Sequence, residues 1–130
     1  MEEAFTALIL GDAAVAALVG NRVHWRRQPE KQNDFPYINL SLVDEQTGYE
    51  LEGEDGLTRR IIQVDCWGEK YLDAVNVKRA VRSLLSGYAG TSGAVKFNGI
   101  FVGGARDLDG DLPSGPIFGL SIDFNVVSDA

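Results

Sequence analysis

From Phe118 to Val126 every second residue is apolar: Phe118, Leu120, Ile122, Phe124 and Val126 stand opposite Ser121, Asp123 and Asn125. Alternation with period two marks a strand with one buried face. The same period predicts a strand over Tyr37 to Val43, where Ile38, Leu40 and Leu42 oppose Asn39 and Ser41. It predicts another over Thr58 to Trp67, where Ile62, Val64 and Cys66 share a face. A short strand is expected around Arg22 to Arg26. Helical spacing takes over from Glu69 to Tyr88: Ala74, Val77, Val81, Leu84 and Tyr88 recur at intervals of three and four, with Tyr71 and Leu85 beside them. Lys78, Arg79 and Arg82 crowd the second half of this helix, where its dipole favours cations, and Gly87 and Gly90 end it. Glu2 to Val19 reads as a helix broken once at Gly11, with Asp12 as the N-cap of the second piece and Gly20 after its last turn.

Between these elements lie polar connections. Gln28 to Asp34 contains Pro29 and reads as a loop. Asp44 to Leu57, rich in acids and glycines and free of bases, reads as a long solvated hairpin excursion. Val95 to Val102 reads as a hairpin turning at Asn98-Gly99, and Asp107 to Pro116 as a loop. Strands joined by hairpins are antiparallel, and their one-sided apolar faces need a cover. The expected fold is therefore α+β: a mostly antiparallel sheet covered on one face by the long helix, with a broken N-terminal helix. Residues 1–130 read as one domain, a size that supports a core without disulfides or metal.

Composition narrows the chemistry. Cys66 is the single cysteine and His24 the single histidine, so neither an internal disulfide nor a zinc site is expected. Cys66 falls on the apolar face of its strand and reads as a small buried hydrophobe. His24 sits between Val23 and Trp25 and reads as structural. Asp107-Leu108-Asp109-Gly110-Asp111 resembles the opening of a calcium loop, but its glycine is misplaced and Phe118 stands where a glutamate is needed. Gly103-Gly104 lacks the helix and the Lys-Ser/Thr pair of a phosphate loop and reads as a bulge. No spacing selects a carboxylate pair for acid–base work. The reading is a protein that is not an enzyme and has no cofactor. A calcium-binding module and a two-carboxylate hydrolase are its rivals. No apolar run is long enough for a membrane span. Glu2 and Glu3 replace the basic start of a signal peptide, so a cytosolic origin is expected.

The net charge of -7 argues against a grip on DNA or on an anionic membrane, yet suits a wall past which DNA slides. The charges are segregated. Asp44, Glu45, Glu50, Glu52, Glu54 and Asp55 fall in one excursion; Arg22, Arg26, Arg27 and Lys31 fall in another. These patches are either two solvated loops or the two halves of a head-to-tail contact between copies, which closes into a ring when the rotation allows.

Several pieces in order complete a pattern. They are Leu8 … Asp12 … Leu18-Val19-Gly20-Asn21-Arg22-Val23, then Phe35-Pro36-Tyr37-Ile38, then Leu57-Thr58-Arg59-Arg60 leading to Gln63-Val64-Asp65-Cys66-Trp67. A helix with Tyr71 and Ala80-Val81-Arg82 follows, and a last strand with Leu120-Ser121-Ile122-Asp123-Phe124. In this the chain resembles the tail-completion, or tail-terminator, proteins of long-tailed bacteriophages and gene transfer agents. The resemblance implies a homohexameric ring that caps the tail tube and joins it to a head-tail connector protein. Its partners would be further copies of itself, the tail tube protein and the connector, with DNA passing through the lumen without sequence-specific binding and no membrane involved. It implies a place in a virion or gene-transfer-agent particle assembled in the host cytoplasm, and no enzyme activity. A neighbouring stopper or head-completion component is the alternative within the same class.

Overall fold

The computed structural model describes residues 1–26, 35–50, 53–112 and 115–129. Two short helices open the chain, α1 (Glu2–Leu10) and α2 (Ala13–Val19). Gly11 separates them, and the Asp12 carboxylate accepts a hydrogen bond from the Val15 amide at 3.1 Å, the N-cap expected of it. Gly20 follows at φ 60°. Strands β1 (Val23–Trp25), β2 (Tyr37–Glu50) and β3 (Gly53–Gly68) come next, then helix α3 (Tyr71–Leu85), then β4 (Gly90–Ser92), β5 (Val95–Leu112) and β6 (Gly115–Asp129).

The strands form one mixed six-stranded sheet in the order β1-β2-β3-β6-β5-β4. The hairpin-linked pairs are antiparallel, as expected, and only β1 runs parallel to its neighbour β2. Ile38 and Leu40 of β2, Ile62, Val64 and Cys66 of β3, and Ile122, Phe124 and Val126 of β6 are fully buried on one face. Above them lie Phe5 and Ile9 of α1, Val15 and Val19 of α2, and Val77, Val81 and Leu85 of α3. Trp25 closes one side, its ring edge-on to Phe5 and its Nε1 donating to Thr6 Oγ1 at 2.8 Å.

A single long helix covering the face is not what forms. The helix expected over 69–88 is α3, whose 15 residues span roughly 22 Å, against roughly 50 Å of extended chain in the 16 residues of β3. All three helices share the cover. The helix ends early because Gly87 turns at φ 79° and the chain then pairs with β5: the Gly87 amide donates to the Ile100 carbonyl, and the Ile100 amide to the Tyr88 carbonyl. Tyr88 therefore lies beyond the helix, and Gly90 lies in β4.

Three expected connections are strand instead. The Asp44 to Leu57 excursion is a paired two-stranded arm, with Asp44 opposite Ile61, Gln46 opposite Arg59 and Glu50 opposite Gly53. Asn98-Gly99 is a bulge inside β5, where the register with β6 slips between Phe97 and Gly99. A Cβ at Gly99 would sit 2.7 Å from Phe101 Cζ, so a larger residue there would push the exposed Phe101 ring aside. The true turn precedes it at Gly93-Ala94, with Gly93 at φ 57°. The Asp107 to Pro116 segment continues β5 to Leu112 and starts β6 at Gly115; residues 113–114 lie outside the described residues. A second slip between Val102 and Gly104 puts the bulge where the paired glycines predicted one.

The packing generates a direct test. Val81 has no exposed surface. Val81→Asp would place an unpaired carboxylate between α3 and the sheet and is expected to cost about 4 kcal/mol or more. Thermal unfolding followed by circular dichroism should show a collapsed or absent transition. A cooperative transition near that of the parent would mean that α3 packs in another register.

Candidate functional site

The sheet's second face carries no helix of this chain among the described residues. In-register pairing lines up His24, Asn39, Asp65, Ser121 and Arg106 across β1, β2, β3, β6 and β5. The next row holds Ser41, Gln63 and Asp123. Arg106 reaches from β5 across β6, donating from Nη1 to Asp123 Oδ2 at 3.2 Å and from Nη2 to Gln63 Oε1 at 2.9 Å. Gln63 Nε2 in turn donates to the Asp65 carboxylate at 2.9 and 3.2 Å. Four buried polar atoms on these rows have no partner among the described residues: His24 Nε2, Asn39 Oδ1, Ser121 Oγ and Asp123 Oδ1. Trp67 lies over Gly119 at the end of this face; a Cβ there would meet its ring at 2.8 Å.

None of this resembles a reaction centre. The Cys66 thiol is buried, and burial, reinforced by the Asp65 charge, pushes its pKa up to about 12 despite the opposing effect of Lys78. It is a core side chain without nucleophilic character at neutral pH. Burial and the same Asp65 charge also raise the Tyr37 phenol. His24 packs near Tyr37 with ring centroids 6.5 Å apart. Among the described residues no three of His, Cys, Asp or Glu gather as metal ligands. The Asp107 to Asp111 backbone is extended strand paired with β6 rather than a calcium loop.

The expected charge patches resolve differently. In the arm, Asp44 and Glu45 point to opposite faces, and Glu45 pairs with Arg60 at 2.6 Å. Arg60 also donates from Nη1 to Ser128 Oγ at 3.0 Å. Glu50 ends β2, and Glu54 and Asp55 lie at the start of β3. Glu52, Arg27 and Lys31 lie outside the described residues. Arg22 is spent on the backbone: its Nε donates to the Pro36 carbonyl at 2.9 Å and its Nη2 to the Leu18 carbonyl at 3.4 Å, tying the end of α2 to the entry of β2. Arg26 takes φ 73°, and its carbonyl accepts from Asn39 Nδ2 at 2.7 Å.

Another group of cations lies on α3. Lys78, Arg79 and Arg82 edge a groove of about 430 Å³ whose apolar wall is Tyr71, Leu72 and Val75. Leu72 is 62% exposed. Dipole reasoning accounted for these three cations at the sequence level and hid their spacing of i, i+1 and i+4, which places them side by side.

Two measurements check these assignments. Cys66 should resist a maleimide at pH 8 in the native protein and react fully in guanidinium; rapid native labelling would show that the β3–α3 layer opens. Arg22→Ala should lower stability by about 1–3 kcal/mol in denaturant unfolding, through its two lost backbone contacts. No change would make the tie dispensable.

The comparisons with known proteins agree with one another. The sequence profile of the tail completion protein gp17 family matches residues 3–127. No curated protein sequence matches the chain. Among solved structures, a chain from the virion of a native gene transfer agent (GTA) particle superposes with a TM-score of 0.73 over 100% of this chain and 95% of that one, at 17% identity. At that identity the likeness is one of fold.

Proposed function

The chain belongs to the tail completion protein gp17 family, and from that premise we propose that it is a structural subunit of the tail in a phage or gene-transfer-agent particle. It forms a homohexameric ring that caps the tail tube and joins it to the head connector, with the genome passing through the lumen. The observation that carries this reading is the family match over nearly the whole chain. The fold it shares with a chain of a gene-transfer-agent virion supports it.

The physical features agree with a passive conduit. A net charge of -7 repels phosphate rather than holding it, so DNA would slide along such a wall. A polar sheet face with buried, unpartnered atoms suits a surface completed in an assembly, since each such atom costs about 1–3 kcal/mol when left alone. The single thiol sits in the core.

The test is removal of the chain from a host that produces the particle. Loss should leave filled heads and separate tails of uncontrolled length, with infectivity or gene transfer reduced by orders of magnitude. Joined particles with tails of normal length would overturn the proposal.

A further inference from the structure

Resting on the ring reading, we infer that neighbouring copies join sheet edge to sheet edge, the β2 edge at Leu42-Val43 of one copy against the β5 edge at Phe101-Val102 of the next. The outermost strands leave both edges open. β1 and β4 have three residues each, against 14 in β2 and 18 in β5. The pairing of β1 with β2 ends at Leu40, whose carbonyl accepts from the Arg26 amide. On the other edge the last cross-link from outside is that of Ile100 with Gly87 and Tyr88. Beyond Leu40 and beyond Ile100, no strand among the described residues pairs with these edges. An open edge presents unpaired amides and carbonyls, a template for another strand.

The apolar surface left bare falls at these two places. Leu42 is 43% and Val43 56% exposed on the β2 edge, and Phe101 is 55% exposed on the β5 edge. They stand at one height in the sheet. Leu42 pairs with Ile62, Ile62 with Phe124, and Phe124 with Val102; the next row runs from Asp44 through Ile61 and Asn125 to Phe101. A closed ring relates neighbours by rotation with no shift along its axis. With the strands running along that axis, patches on opposite edges at one height are the ones that meet.

The backbone suits the contact. Each edge bulges just past the end of its cover, between Leu42 and Asp44 and between Val102 and Gly104. A bulge bends its strand and adds twist, which turns the two edges of a sheet out of one plane, as a closed wall requires. Gly103 and Gly104 are exposed, and a Cβ at Gly104 would meet nothing within 4 Å, so a neighbour's side chain has room there. Residues 101–105 carry no charge and so do not repel Asp44. Within one chain the two patches are three strand spacings apart, roughly 14 Å, and face opposite ways. Only a second copy can bring them together.

The test uses purified particles from a host that carries the full chain as the Val43→Cys/Phe101→Cys double variant, treated with a short bismaleimide. Cys66 is buried, with its thiol raised to about 12, and needs no replacement. A ladder of covalently linked chains should form, with linked products at least tenfold scarcer in particles carrying either single variant. Dimers of one single variant at the yield of the double would overturn the inference in favour of a two-fold contact. No ladder, with the chain present in the particles as a ring, would overturn the edge contact and leave the ring standing. Absence of the parent chain from the particles would overturn both. A second variant, Val43→Lys, changes an exposed side chain. It should keep the parent's thermal transition and lower the yield of joined particles at least tenfold; an undiminished yield would also overturn the edge contact.

Discussion

The whole structure hangs on β3. It pairs with β2 along one edge and with β6 along the other, and its inward residues Ile62, Val64 and Cys66 are fully buried. The apolar stripe of α3 packs against them and equally against β6. Burying such aliphatic side chains contributes about 1.5–3 kcal/mol each, and the row continues into Leu40 and Ile122 on either side. The same strand carries Gln63 and Asp65 on its other face, inside the polar rows. Strand alternation thus gives β3 one apolar face for the core and one polar face.

That division bears on how the chain's charged groups are used. Among its charged groups, Arg22, Arg60 and Arg106 are tied internally, while Lys78, Arg79 and Arg82 line an open groove on α3. The tied groups fix geometry: Arg22 anchors a helix end, and Arg106 bridges β5 to β3 across β6.

The regular elements were legible wherever one period held. Phe118 to Val126 and Ala74 to Val81 kept their spacing, and the structure keeps their faces. Reading failed where a bulge reversed the parity. Phe97 and Ile100 both face the core although they are three apart, because the slip at Asn98-Gly99 inserts a residue. A local scan sees Asn-Gly between apolar pairs and assigns a turn; pairing with β6 overrides it. Likewise the slip at Val43 turned Asp44 and its neighbours out of phase with Ile38 to Leu42, so a long strand read as a solvated excursion. The functional surfaces were legible only in part. Charge segregation was visible as composition. Which cations were already engaged by backbone carbonyls was not, since Arg22 meets Pro36 only after folding.

The account stands most directly on where the chain sits in an assembled particle and in how many copies. A cryo-electron microscopy reconstruction of the junction between head and tail, with this chain fitted to the density, measures both. The account predicts six copies in a closed ring at the head-proximal end of the tail tube, with DNA in the central channel. Density for the chain at the far end of the tail, or as isolated copies without a shared ring, would contradict it.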